Sequence, residues 1–297
     1  MAVPSGCSDD TVRIFVAATP AEWLPMRVLE YSIREHSTLP IELSTIYSHG
    51  REIPQPKALE NRARTPFSFQ RFLIPELCHF TGRAIYLDAD MQVFKDIAEL
   101  WDHPLEGNHL QTVSTANDGR RSQFSVMLLD CARLDWKVED IVARLDDGSL
   151  DYQTLMFDMK VAREIGYGIP LKWNSLEAYM PDQTALLHYT DMNTQPWVSL
   201  HNTNGVLWIS CLRRAIDSGF ITRGEVMQEV EAGHVRPSLL AQLNADENSL
   251  RKLGISALWR DFAFHPPYYR LRGGWLRKLR SRTFHYLNLF RAMVCRS

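Results

Sequence analysis

Short apolar runs rich in β-branched residues recur along this chain, and segments of helical spacing lie between them. Val12 to Ala18 (VRIFVAA) predicts a buried strand, and Ile41 to Tyr47 a second. Between them, Trp23 to His36 carries Leu24, Val28, Tyr31 and Ile33 at helical spacing. Pro54 and Pro56 mark a loop. Phe69 to His79 predicts a helix that Pro75 either kinks or restarts. Further strands are expected at Arg83 to Leu87, Phe124 to Leu129 and Thr184 to Tyr189. Helical text covers Ile97 to Trp101, Asp151 to Met159 and Val206 to Ile216. This alternation restricts the chain to an α/β sheet with a Rossmann-like half. In such sheets ligands bind at the carboxyl ends of strands. Thr19, Asp88, Asp90 and His188 all fall at such ends.

With 297 residues, 45% of them hydrophobic, there is enough core for one large domain or a domain with an appendage. The net charge of −2 argues against a nucleic-acid partner, but the charge is unevenly spread. Eight Arg and Lys and no acidic residue lie between Arg270 and Ser297, which leaves 25 basic against 35 acidic residues before them. Such an end suits an anionic partner. Five scattered cysteines without a CxxC pair point to a reducing compartment and away from zinc or a disulfide framework. Met1 to Asp10 does not read as a signal peptide, and no apolar run reaches the ~18 residues that a membrane span needs. The expected location is cytoplasmic, with peripheral attachment at the inner face of the membrane as an option.

The segment AIYLDADMQVF sets Asp88 and Asp90 between apolar flanks. Carboxylates two apart on extended backbone face the same way and repel unless a cation lies beside them. A hard ion such as Mn²⁺ or Mg²⁺ takes oxygen ligands and can bridge phosphate oxygens. A solvated turn after a strand is the plain alternative. His188, in ALLHYTDMNTQPW, ends another apolar run and offers an imidazole to the same ion. A lone histidine there also serves as a hydrogen-bonded rim residue.

The order of strand, helix, FQRFLIPEL, IYLDADMQV and HYTDMNTQPW resembles glycosyltransferase family 8, which includes glycogenin and bacterial lipooligosaccharide galactosyltransferases. The resemblance implies a GT-A fold, a nucleotide-sugar donor (usually a UDP-sugar), Mn²⁺ and retention of anomeric configuration. A hexosyltransferase catalytic domain is expected over 11–217 and a helical extension over 218–297, and the resemblance itself runs from about Val12 to Trp197. It assigns Asp88, Asp90 and His188 to the metal. It assigns Ala17, Ala18, Thr19, Trp23, Arg71, Asp88, Ala89, Asp90, Gln123 and Gln195 to the donor, and Asp151 and Gln153 to the sugar at the reacting centre. Trp23 serves equally as a stacking platform for the base or as core. Four positions depart from the family pattern. Thr19 stands where an acidic residue is common, Ser125 where Gly is, Tyr152 where Gln is, and Gln195 where a phosphate-binding Lys is usual.

Within the tail, Trp275, Leu276 and Leu279 alternate with Arg277, Lys278, Arg280 and Arg282. That composition suits a helix lying on anionic lipid, or a C-terminal helix packed on the core with a solvated basic face. A nucleotide-sugar-binding protein without transfer activity and a membrane-surface module are the rival functions. A sugar nucleotidyltransferase is disfavoured, because VAATPAEW lacks a Gly-rich basic phosphate loop. The acceptor pocket is expected in the loops around Asn117–Arg121 and Tyr167–Pro181 and in the C-terminal region.

Overall fold

A computed structural model describes residues 11–113, 124–244, 259–261 and 263–268, with Thr283 and Leu287 as single positions. The basic residues of the tail and Gln123 therefore lie outside the described residues. The chain divides into two compact units, one of residues up to 20 with 32–188, the other of 21–31 with 189 onward.

The strands are β1 (Val12–Ala17), β2 (Ile41–Thr45), β3 (Arg83–Asp88), β4 (Met91–Val93), β5 (Leu110–Val113), β6 (Val126–Asp130), β7 (Ile165–Ile169), β8 (Ser175–Leu176) and β9 (Leu186–His188). The helices are α1 (Trp23–His36), α2 (Ile74–Leu77), α3 (Ala98–Trp101), α4 (Val138–Asp146), α5 (Tyr152–Met156), α6 (Gly205–Asp217), α7 (Arg223–Glu231) and α8 (Ser238–Asn244).

In the first unit, six strands form a sheet in the order β2-β1-β3-β6-β5-β7. β1 runs parallel to β2 and β3, whereas β6 is antiparallel to both β3 and β5. The middle strands read as unbroken apolar text because both faces are covered: Ala84 to Leu87 and Val126 to Leu129 are wholly buried. On one face Phe72 meets Trp136 edge-on at 5.3 Å, and the Trp136 indole donates to Val161 O at 3.0 Å. A second sheet, β4-β9-β8, starts directly after the turn at Ala89–Asp90.

Several boundaries differ from the sequence expectation. The second strand stops at Thr45, and Ile46–His49 is a 3-10 turn that spends its apolar Ile46 as a buried anchor. Phe69–His79 is not one helix but a 3-10 turn, Gln70–Leu73, followed by the single turn of α2, which Pro75 starts. The strand expected at Phe124 begins at Val126, because Phe124 has a φ of 49°, left-handed backbone that no strand accommodates. The helix expected over Asp151–Met159 is shortened to α5, with Asp151 as its N-cap. The strand expected at Thr184–Tyr189 is only β9.

The second unit is helical. Arg27 lies 4.0 Å over the Phe220 ring and donates to Phe220 O at 3.0 Å, so the early turns of α1 are tied to the end of α6. α7 begins with a reciprocal capping box between Thr222 and Glu225. Trp197 packs against Trp208 with ring centres 5.4 Å apart and the planes tilted by 44°. Among the described residues, the buried cysteines Cys78, Cys131 and Cys211 form no disulfide. No helix among the described residues is long and apolar enough to cross a membrane.

Candidate active site

Strand register brings the two halves of the site together. Ala17 pairs with Asp88, which sets the loop after β1 beside the carboxylates at the end of β3. Asp90 follows in the turn into β4, and Met91 pairs with His188 across β4 and β9. The histidine, 98 positions beyond Asp90 in the chain, therefore arrives opposite the residue next to it. Asp88, Asp90 and His188 offer one ligand atom each, all within 4.8 Å of one another. His188 Nε2 lies 3.0 Å from Asp90 Oδ1. Two carboxylate oxygens and an imidazole nitrogen form a donor set that Mn²⁺ accepts, so these residues fit the ion that the sequence implies.

The groups behind this trio fix its geometry. The fully buried Tyr86 donates its hydroxyl to Asp88 Oδ1. Burial lifts the Tyr86 pKa well above the usual phenol value, against the pull of Arg71, so the hydroxyl stays a donor at neutral pH. Arg71 comes from the 3-10 turn before α2. It places one nitrogen 3.6 Å from Asp88 Oδ1, donates from another to Phe124 O at 2.9 Å, and stacks 4.6 Å from the Tyr86 ring centre. Its Nε is buried and has no hydrogen-bond partner among the described residues. The adjacent Gln70 holds the loop after β1: its amide oxygen accepts from Ala18 N at 3.0 Å and its nitrogen donates to Ala18 O at 2.8 Å.

On the far side of the ion site, Asn174 Oδ1 lies 3.0 Å from His188 Nδ1. His188 is 4% exposed. Burial works to lower its pKa, but the carboxylates of Asp90, Asp88 and Glu177 outweigh it and the net shift is upward.

The other residues singled out by sequence are placed as follows. Ala17, Ala18 and Ala89 are buried beside the site, and Thr19 is half-buried in the same loop. Asp151 and Gln153 are exposed at the start of α5. Both Asp151 oxygens are engaged by Thr154, one by its amide and one by its hydroxyl, each at 2.8 Å. Those bonds, the amide's above all, lower the Asp151 pKa. Tyr152 points into the core, 6.3 Å from Phe69, with the Arg64 guanidinium 4.6 Å from its ring centre. Trp23 and Gln195 belong to the second unit. Trp23 is half-buried at the first position of α1, and Gln195 is buried with its amide nitrogen donating to Tyr189 O at 3.0 Å. Sequence reasoning passed over Gln70, Tyr86 and Asn174. For Tyr86 a signal existed: it lies two positions before Asp88 on extended backbone, hence on the same face.

Comparison with known proteins bears on the fold. Residues 28–148 match glycosyl transferase family 8, a stretch that holds Arg71, Asp88 and Asp90; Asp151 and His188 lie beyond it. Protein CDI of Arabidopsis thaliana is 29% identical over 217 residues, which cover 66% of this chain and 79% of that protein. Glycosyltransferase 8 domain-containing protein 1 of Xenopus tropicalis is 41% identical over 61 residues, 20% of this chain and 16% of that protein. The apo structure of the bifunctional glycosyltransferase WbbM aligns with a TM-score of 0.52 and 14% identity, over 76% of this chain and 52% of that one. The fold is that of a GT-A glycosyltransferase. Over residues 28–148, less than half of its length, the chain is similar to glycosyltransferase family 8.

Proposed function

We propose that this glycosyltransferase moves a hexose from a nucleotide-diphosphate donor, a UDP-sugar by preference, to an acceptor hydroxyl with retention of anomeric configuration. The observation that carries this reading is the meeting of Asp88, Asp90 and His188 within 4.8 Å. These three residues would hold a divalent cation, Mn²⁺ or Mg²⁺, which supplies Lewis-acid neutralisation of the departing diphosphate. The Gln70 clamp on Ala18 fixes the backbone of the loop that would receive the nucleoside, and the Thr19 hydroxyl offers an acceptor there. Arg71 holds Asp88 in place and keeps one donor, Nε, unspent. Asp151 uses both oxygens to cap α5. That supports orientation of the donor sugar rather than covalent attack. In the resulting front-face reaction, the acceptor oxygen approaches the side that the diphosphate leaves, and a diphosphate oxygen takes the acceptor's proton. The basic tail supports a glycolipid acceptor presented at an anionic membrane surface.

Thermal melts with a panel of nucleotide sugars test the donor reading. A ligand at about 100 times its Kd stabilises by ~2.7 kcal/mol, on the order of 5 °C for a chain of this size. That shift is expected for a UDP-sugar with Mn²⁺ and not for either alone. No shift with any nucleotide sugar would end the proposal. A shift with neither hydrolysis nor transfer would instead favour a binding protein. Product stereochemistry by proton NMR decides retention, and an inverted anomeric centre rules it out.

The raised pKa of His188 makes metal binding pH-dependent. Protonated imidazole cannot ligate. In metal-free protein, the stability from His188 facing Asp90, Asp88 and Glu177 is complete below its unfolded value and fades as pH rises through the raised one. Mn²⁺ affinity should run the opposite way, strengthening as pH rises past the ordinary histidine range, with proton release on binding. Calorimetry in buffers of different ionisation heat reads this directly. An affinity flat between pH 6 and pH 8 contradicts it.

A further inference from the structure

His188 can ligate a cation through Nε2 only if the ring proton sits on Nδ1 and the ring cannot turn. Asn174 meets both conditions. Its amide oxygen, an acceptor only, faces Nδ1 at 3.0 Å, so it holds a hydrogen on that nitrogen and leaves Nε2 as the atom that turns to a cation. Nε2 in turn faces Asp90 Oδ1 at 3.0 Å. We propose that Asn174 is a positioning residue that locks His188 in its metal-ready tautomer and orientation. This rests on the metal reading above.

Local structure gives Asn174 little freedom. The 3-10 turn Leu171–Trp173 precedes it, anchored by Trp173 at 1% exposure, and Asn174 N donates to Leu171 O at 3.0 Å. Beyond it, Ser175 pairs with Leu187 and Leu176 with His188. Glu177 N then donates to His188 O at 3.0 Å, from left-handed backbone with φ 56°. On the other side Ala185 N donates to Lys172 O at 2.9 Å. The segment is thus tied to the strand of His188 before and after Asn174. An amide oxygen orients the ring without adding a carboxylate to a site that already holds Asp88 and Asp90.

The test uses the full chain without donor. Mn²⁺ affinity is read by electron paramagnetic resonance of the free ion, and melting is followed in chelator. Removing a group that orients a metal ligand lowers affinity by roughly 10- to 100-fold. Asn174→Ala is expected to show that loss, and Asn174→Asp, which keeps an acceptor oxygen, to recover most of it. Ring ¹⁵N spectra of wild type loaded with a diamagnetic divalent probe, Zn²⁺, should show His188 protonated on Nδ1. Wild-type affinity in Asn174→Ala overturns the proposal alone. An Nε2–H ring in the Zn²⁺-loaded wild type overturns it without any variant, even if Asn174→Ala fails to fold. Wild-type binding no tighter than that of Asp88→Asn/Asp90→Asn removes the metal reading beneath it.

Discussion

Replacing Asp88 and Asp90 together by Asn is expected to lower divalent-dependent transfer by about a thousandfold or more. Charge stabilisation by a bound cation is worth several kcal/mol, and ~4 kcal/mol corresponds to three powers of ten in rate. Asn is the informative choice because it keeps an oxygen at position 88 to accept the Tyr86 hydroxyl. The fully buried tyrosine is then not orphaned, and the fold is retained. Arg71 loses its carboxylate partner but keeps Phe124 O. His188 changes most. Burial now acts on its pKa without the two aspartates that oppose it, so the pKa falls. In chelator, wild type should therefore exceed the variant in stability most at pH below the ordinary histidine range, with the gap closing as pH rises. Mn²⁺-dependent initial rates and melts across pH provide both readouts. Activity within tenfold of wild type would remove the metal from the mechanism.

How much of this was legible in sequence depends on whether a residue's task is local. α1 runs over the residues expected, Trp23 to His36, because its apolar spacing records one buried face. The candidate trio of Asp88, Asp90 and His188 was legible as chemistry, since carboxylates between apolar flanks are costly without a purpose. The residues that hold the trio were not. Tyr86 sits in a strand of apolar text and reads as core. Gln70 is lost inside FQRFL, and Asn174 lies in a turn whose function is defined only by the pairing of β8 with β9. β5 and β7 were missed for a related reason. LQTV and IGYGI carry polar residues and glycines that look like loop, yet Gln111 is 1% exposed. Its amide oxygen accepts from Gly168 N at 3.0 Å, and a Cβ on Gly166 would come within 2.2 Å of that oxygen. The glycines make room for a buried amide, a relation between strands that a single strand's text cannot show. Of the four departures from the family pattern, Tyr152 has become core against Phe69 and Gln195 closes its own turn onto Tyr189.

The second large effect concerns stability. Arg236→Met should destabilise the protein by about 3–5 kcal/mol, because three acceptors lose their donor at roughly 1–3 kcal/mol each. Arg236 is 1% exposed in the second unit. Its Nε donates to Pro196 O at 2.9 Å, one terminal nitrogen donates to Ser238 Oγ at 2.6 Å, and the other donates to the Gln242 amide oxygen. Its backbone N–H adds a bond to Trp197 O at 2.8 Å. Asp261 completes the network by accepting from Ser238 N at 2.8 Å. Burial pulls the guanidinium down to about 10 while Asp261 opposes the fall, so it remains charged at neutral pH. Methionine fills the volume but leaves three acceptors without their donor and Asp261 without its cation. The expected loss in melting temperature is on the order of 10 °C. Arg236→Lys keeps the charge but not the planar fork that serves three acceptors at once, so its loss should be intermediate. A shift under about 2 °C for Arg236→Met would show that the network contributes no net stability. The same network anchors Pro196 and Trp197 just after Gln195. A lysine at 195, the family's usual residue, would start from a buried position whose amide now donates to Tyr189 O, so Gln195→Lys must either bury an ammonium or open the turn. Either route costs stability, which gives a physical reason for glutamine to stand there.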